Sequence, residues 1–304
     1  MYKTLISTKN LREILYEENI IIFDCRFDLA KKNMGYTDYL NSHIDGAFYI
    51  NLESDLSSKL SLHSGRHPLK DITEFSNILN SFGINKNTQI FVYDEENSSM
   101  CARFWWMLKL VGLENCAVLD GGYNEWLRMK YPINNYIPKK LKKENINYSY
   151  NHKKIVTTKD LKELLVEPSV CLLDAWDPDR FSGKIEPIDK KAGHVPGAIN
   201  VPFKKNLNED GTFKNIEELR SNFKKAIKQN KTQIINMCGS GVTACHNLLA
   251  MEHCGIKNSK IYVGSWSAWS SYEDATISGE KLWKLKSNGR KGCILLQILR
   301  VEIK

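Results

Sequence analysis

The sequence predicts an α/β protein of two tandem, homologous domains, each a mainly parallel sheet flanked by helices, and three observations carry that prediction. The chain repeats against itself at an offset of roughly 145 to 150 residues. Within each repeat, short apolar strands alternate with helical patterns, which indicates a parallel sheet covered on both faces. The length of 304 residues suits two domains of ordinary size.

Taken in order, each copy reads as a helix (Thr8 to Tyr16; Thr158 to Leu165), then strand, loop, short strand, helix, strand, helix and strand. The first strand is Ile21-Ile22-Phe23-Asp24-Cys25-Arg26, answered by Cys171-Leu172-Leu173-Asp174-Ala175-Trp176. His43-Ile44-Asp45-Gly46-Ala47 is answered by His194-Val195-Pro196-Gly197-Ala198, a turn whose glycine bends the chain and whose histidine bonds to backbone. Gln89-Ile90-Phe91-Val92-Tyr93-Asp94 is answered by Gln233-Ile234-Ile235-Asn236-Met237-Cys238. Gly121-Gly122-Tyr123-Asn124-Glu125-Trp126 is answered by Gly264-Ser265-Trp266-Ser267-Ala268-Trp269, the last strand's turn, where the tryptophans read as packing residues.

The boundaries follow from composition. Pro138-Lys139-Lys140-Leu141-Lys142-Lys143-Glu144-Asn145 is polar, basic and without period, so residues 1–135 form the first domain, 136–153 a linker and 154–280 the second domain. Nothing in the repeat answers residues 281–304, a basic tail whose structure the pattern leaves open.

Chemistry concentrates in the second copy, at Met237-Cys238-Gly239-Ser240-Gly241-Val242-Thr243-Ala244. A cysteine stands where a buried strand ends, two glycines bracket a serine, and Val242 and Thr243 lead into a helix. Glycines so spaced let successive N–H groups turn inward and form an anion-binding hollow at the positive end of a helix. A thiol with its ordinary pKa near 8.5 is about 3% thiolate at neutral pH, and roughly 2.7 kcal/mol makes it mostly ionised. Two or three N–H bonds to the sulfur, at about 1.5 to 3 kcal/mol each, supply that. Cys238 is therefore the candidate nucleophile. In the first copy the same position is Asp94, followed by Glu95-Glu96, which cannot serve as a sulfur nucleophile and repels anions. That copy reads as catalytically inactive, and Cys101 beside Phe104-Trp105-Trp106 reads as core.

The loop Cys238-Gly239-Ser240-Gly241-Val242-Thr243-Ala244 resembles the active-site loop of 3-mercaptopyruvate sulfurtransferases, within the tandem-domain rhodanese family, and the likeness runs from about Leu5 to about Gly279. The resemblance implies two rhodanese-like domains and a sulfurtransferase that carries sulfur as a persulfide on Cys238, without a cofactor or metal. It implies a substrate-binding loop of Gly239, Gly241, Val242 and Thr243, with Arg180, in Asp179-Arg180-Phe181, holding the donor carboxylate through a guanidinium fork. The alternative for Arg180 is a surface ion pair. The resemblance also implies that an acid and a histidine from the first domain's long loop, Glu53 and His67, join Ser240 in a proton relay. The alternative is a histidine that caps a turn and a solvated glutamate.

Two departures bear on the donor. Thiosulfate sulfurtransferases of the family carry Arg-Lys after the cysteine, where this chain has Gly239-Ser240, so the small neutral loop favours 3-mercaptopyruvate over thiosulfate. Mercaptopyruvate members often place a second arginine nine residues beyond the first, where this chain has Asp189, with Lys190 and Lys191 as the nearest cations. The acceptors implied are cyanide, a small thiol or a protein thiol such as that of thioredoxin. A persulfide carrier that hands sulfur to a partner protein is the reading outside enzymes. A cysteine phosphatase would need an arginine about where Ala244 and Cys245 stand, and a phosphate-binding P-loop would need a Gly-Lys-Ser/Thr ending.

Composition bounds the rest. The chain carries 42% hydrophobic and 26% charged residues and a net charge of +8, its lysines scattered, which favours small anionic substrates over nucleic acid. Eight cysteines without scaffold or metal spacing indicate reduced thiols. No apolar run is long enough for a membrane span, and the start is no signal peptide, so a cytoplasmic protein is expected.

Overall fold

The computed structural model describes residues 1–139 and 142–279. The tail of 281–304 lies outside the described residues, as do Lys140 and Leu141 of the linker.

The first half runs β1 (Leu5–Ile6), α1 (Thr8–Ile14), β2 (Ile20–Asp24), α2 (Met34–Asn41), β3 (His43–Ile44), β4 (Phe48–Tyr49), α3 (Ile72–Ser81), β5 (Gln89–Tyr93), α4 (Ser99–Leu110), β6 (Cys116–Leu119), α5 (Gly122–Arg128) and β7 (Ile133–Asn134). The second runs β8 (Ile155–Val156), α6 (Thr158–Leu164), β9 (Val170–Asp174), α7 (Pro178–Phe181), β10 (Ile199–Asn200), α8 (Ile216–Ala226), β11 (Gln233–Met237), α9 (Thr243–His253), β12 (Lys260–Tyr262) and α10 (Ser265–Trp269). Caps set several helix starts. The Ser7 hydroxyl accepts from Asn10 N–H, Asp71 from Thr73 and Glu74, and Thr157 forms a reciprocal box with Asp160.

Both halves are α/β, with five-stranded sheets of one topology: β1-β6-β5-β2-β4 and β8-β12-β11-β9-β10, every pair parallel. Register repeats as well. Asp24 pairs with Tyr93 and Asp174 with Met237, which puts Asp94 and Cys238 at equivalent positions one residue past the central strand. The sequence pattern begins each copy with a helix, whereas the structure adds an edge strand before it, β1 on β6 and β8 on β12. Two-residue strands are too short to show a period, so only pairing reveals them.

Helices α4 and α9 pack on each other and join the two halves. This explains why α4 is buried on nearly every residue from Ser99 to Leu110: one face meets its own sheet and the other meets α9. Beyond the linker's basic stretch, the chain lies along the first half, with Tyr148 Oη donating to Ile84 O at 2.8 Å and Tyr150 Oη to Lys70 O at 2.9 Å. Among the described residues, no helix is long and apolar enough to cross a membrane.

Candidate active site

Cys238 follows β11 at the carboxyl end of the second sheet, where open parallel sheets bind ligands. It is 2% exposed and lines a cavity of about 140 Å³ together with Gly239, Ser240, Val242, Thr243, Trp176, Arg180 and Arg66. Gly241 N–H donates to Cys238 Sγ at 3.2 Å. Among the described residues this is the single amide on the sulfur, where the sequence argument anticipates two or three. The loop's other anchors fix its shape. Cys238 N–H donates to Ser265 Oγ at 3.2 Å, while Trp266 and Ser267 N–H donate to the carbonyls of Cys238 and Gly239, each at 2.9 Å.

Ser265 holds that anchor from a left-handed backbone, φ 50°, at the position where the first half has Gly122 with φ 62°. Gly241 also requires a positive φ, 76°, and a Cβ there would stand 2.5 Å from Val263 O.

The first half shows what the same cradle does with a carboxylate. Asp94 Oδ1 accepts from Ser98 N–H at 2.9 Å, and Oδ2 accepts from Met100 at 2.8 Å and Cys101 at 3.3 Å. The side chain that replaces the cysteine occupies the hollow itself. Three internal amides are thereby already satisfied, so this hollow has no donor left for a second anion.

Residues 61–69 of the first half reach across to the second. Arg66 N–H donates to Ser267 Oγ at 3.0 Å, and the His63 ring stacks on Tyr272 at 4.0 Å. His67 is thereby buried against the loop, with Nδ1 2.8 Å from Ser240 Oγ. The fully buried Arg103 of α4 clamps both partners, donating to Gly241 O at 3.2 Å and to His67 O at 3.3 Å.

The third member anticipated from sequence is elsewhere: Glu53 pairs with Lys32 at 2.9 Å, with 37% of its side chain exposed, and lines a separate surface cavity with Lys59 and Lys70. A solvated carboxylate gains from a nearby lysine, and nothing in the loop's spacing signals that choice. His67 and Ser240 thus meet as a pair.

Burial first, then the charges of Arg103, Arg66 and Lys32, push the His67 imidazole down to about 3. It stays neutral across the physiological range and orients the Ser240 hydroxyl rather than storing a proton. We expect the His67 ring resonances to show no protonation step from pH 5 to 8, and the acid limb of kcat/KM to be unchanged in shape in His67→Gln. An imidazole that titrates near 6.5 would contradict this.

Arg180 faces the cavity with its guanidinium 3.9 Å above the Trp176 ring. It also pairs with Glu186 Oε1 at 2.8 Å and lies 3.7 Å from Asp189 Oδ2. Arg180 is thus ion-paired, though in a largely buried pair rather than on the surface, and it also lines the cavity. Neither Lys190 nor Lys191 lines the cavity; Lys191 Nζ donates to Tyr272 O at 2.6 Å. The second cation is Arg66, which the sequence reading missed. It pairs with Asp189, and a Cβ on Gly239 would stand 2.7 Å from its Nη2. Its adjacency to His67 in sequence is the one signal that could have found it.

The other thiols have different surroundings. Cys245 Sγ donates to Gly241 O at 3.3 Å and burial pushes it up to about 12, while Cys101 is pushed well above the ordinary range. His194 Nδ1 lies 2.7 Å from Phe181 O, and Gly197 takes φ 81°. Among the described residues, no group of three His, Cys, Asp or Glu side chains is placed to hold a metal ion.

Comparison with known proteins agrees with this architecture. The family described as Rhodanese-like domain matches the chain twice, over residues 7–129 and 157–272. A probable 3-mercaptopyruvate sulfurtransferase of Pseudomonas aeruginosa is 35% identical over 268 residues, covering 87% of this chain and 94% of that protein. A thiosulfate sulfurtransferase of Rattus norvegicus is 30% identical over 282 residues, covering 88% and 92%. Among solved structures, SseA from Escherichia coli, described with the fold and mechanism of 3-mercaptopyruvate sulfotransferases, superposes with a TM-score of 0.76 at 30% identity, covering 88% of this chain and 100% of that one.

Proposed function

Because the chain belongs to the rhodanese family and is a sulfurtransferase, we propose that it takes sulfur from 3-mercaptopyruvate, holds it as a persulfide on Cys238 and passes it to a thiophilic acceptor. The observation that carries this reading is the shared cavity, lined by Cys238, Arg180 and Ser240, with buried His67 bonded to Ser240.

Arg180 binds the donor carboxylate and orients its sulfur toward Cys238. The Cys238 thiolate attacks that sulfur, the Sγ–S bond forms, the C–S bond breaks, and its electron pair leaves on the carbon as pyruvate enolate. A proton delivered to that carbon gives pyruvate: the Ser240 hydroxyl, oriented by neutral His67, hands over its proton and is reprotonated by the proton the donor's thiol brought in, which leaves the persulfide as an anion. An acceptor such as cyanide, a small thiol or a protein thiol then attacks the outer sulfur and releases the Cys238 thiolate. The Gly241 N–H and the positive end of α9 favour both charged forms of the sulfur.

Thiosulfate as donor is a second reading, favoured by one observation, the Arg66 guanidinium beside Gly239. Sulfite, its leaving group, needs a cation there. Steady-state comparison of the two donors with cyanide as acceptor decides between them, and equal or higher efficiency with thiosulfate would reject mercaptopyruvate. Mass spectrometry after incubation with mercaptopyruvate should find one added sulfur on the peptide that carries Cys238.

Arg180→Gln is expected to raise KM for mercaptopyruvate by about 10- to 100-fold, the worth of a charge-assisted pair, with a smaller change in kcat. An unchanged KM would move the carboxylate site elsewhere.

A further inference from the structure

Two guanidiniums line the Cys238 cavity, two carboxylates are paired with them, and the four groups come from different halves of the chain. Arg66 belongs to the first half's loop; Arg180, Glu186 and Asp189 belong to the segment between β9 and β10. Glu186 Oε1 is committed to Arg180 Nη2 at 2.8 Å and to the N–H groups of Ile188 and Asp189, each at 2.9 Å. Asp189 stands between the cations: it pairs with Arg66 and lies 3.7 Å from Arg180, while its Oδ2 is buried without a hydrogen-bond partner. These four charges sum to zero, and Asp177, the other charged lining residue, is paired with Lys204, so the cavity carries two anion-seeking groups without a net positive charge.

Resting on the mercaptopyruvate reading above, we propose that Arg66 and Asp189 form a cross-domain charge couple that sets the donor preference. Arg66, over Gly239, is the second cation of the site, and Asp189 cancels the charge that would otherwise draw in a dianion. Mercaptopyruvate carries a single carboxylate and leaves as an enolate on carbon, whereas thiosulfate enters with two negative charges and leaves as sulfite. Any change in the local charge therefore acts about twice as strongly on thiosulfate as on a monoanion. Asp189→Asn keeps the side-chain shape, removes the negative charge and frees Arg66. Arg66→Gln removes the positive charge and breaks the same ion pair.

The test measures kcat/KM for both donors in the full-length wild type and in the two variants, with cyanide as acceptor and at two ionic strengths. The ratio of thiosulfate to mercaptopyruvate efficiency is expected to rise about tenfold in Asp189→Asn and to fall about tenfold in Arg66→Gln, with both shifts shrinking at high salt. An ion pair that merely holds the halves together is broken equally by the two variants, so it predicts the same direction of change in both. Shifts in the same direction, or ratios within twofold of wild type, overturn the charge couple. The wild type's own preference is a separate outcome: if it favours thiosulfate, the donor reading falls, while opposite shifts in the two variants still support the couple.

Discussion

Cys238→Ser is expected to lower transfer to cyanide by about 10⁴-fold or more while leaving the fold intact. The side chain differs by one atom in a position that is 2% exposed, so packing changes little. The chemistry changes greatly, because a serine hydroxyl is hardly ionised at neutral pH and forms no persulfide. Thiocyanate formation from either donor measures the loss, and near-ultraviolet circular dichroism checks the packing. Residual turnover that a second substitution at Cys101 or Cys245 removes would assign the wrong nucleophile. Both of those thiols are fully buried and held protonated, Cys245 at about 12.

Gly241→Ala carries the second large effect, because three functions converge on that residue. Its N–H donates to Cys238 Sγ, its carbonyl accepts from Arg103 Nη1 and Cys245 Sγ, and its φ of 76° suits glycine. The left-handed backbone costs an alanine roughly 1 kcal/mol, and a Cβ packed against the immovable Val263 carbonyl adds about 1 to 3 kcal/mol more. The loop is expected to rearrange, with a loss in kcat/KM of about 10²-fold or more, the worth of one amide aimed at a reacting anion. Thiol alkylation at neutral pH should show Cys238 reacting more slowly in the variant. Gly239→Ala is the comparison without a left-handed φ: its Cβ would stand 2.7 Å from the end of the flexible Arg66 side chain and 2.8 Å from the Trp176 indole nitrogen, away from the amide on the sulfur. A smaller loss is expected there. Activity within threefold of wild type in Gly241→Ala would show that the amide on the sulfur is dispensable.

The repeat makes the architecture legible in the sequence itself. Hydrophobic periodicity and the paired stretches around Asp24 and Asp174 identify the strands, and register in the sheets aligns Asp94 with Cys238. Where the sequence pattern fell short, the elements were too small or too distant. The edge strands β1 and β8 are two residues long, and their identity lies in pairing to β6 and β12 rather than in any local alternation.

At the site the sequence determined what is local: a cysteine at a strand's end, a glycine-bracketed loop, a helix behind it and, after the earlier strand β9 of the same half, an arginine. These follow from backbone geometry that neighbouring residues impose on one another. Tertiary structure decided what faces the sulfur across the seam between the halves. The packing of α4 on α9 brings Arg103 onto the Gly241 carbonyl, seats His67 on Ser240 and sets Arg66 against Asp189, while Glu53 stays with Lys32 inside the first half. The physical reason is that a charge is placed by the partner that meets it after folding, and residues 66 and 189 are far apart until two sheets bring their loops to a single cavity.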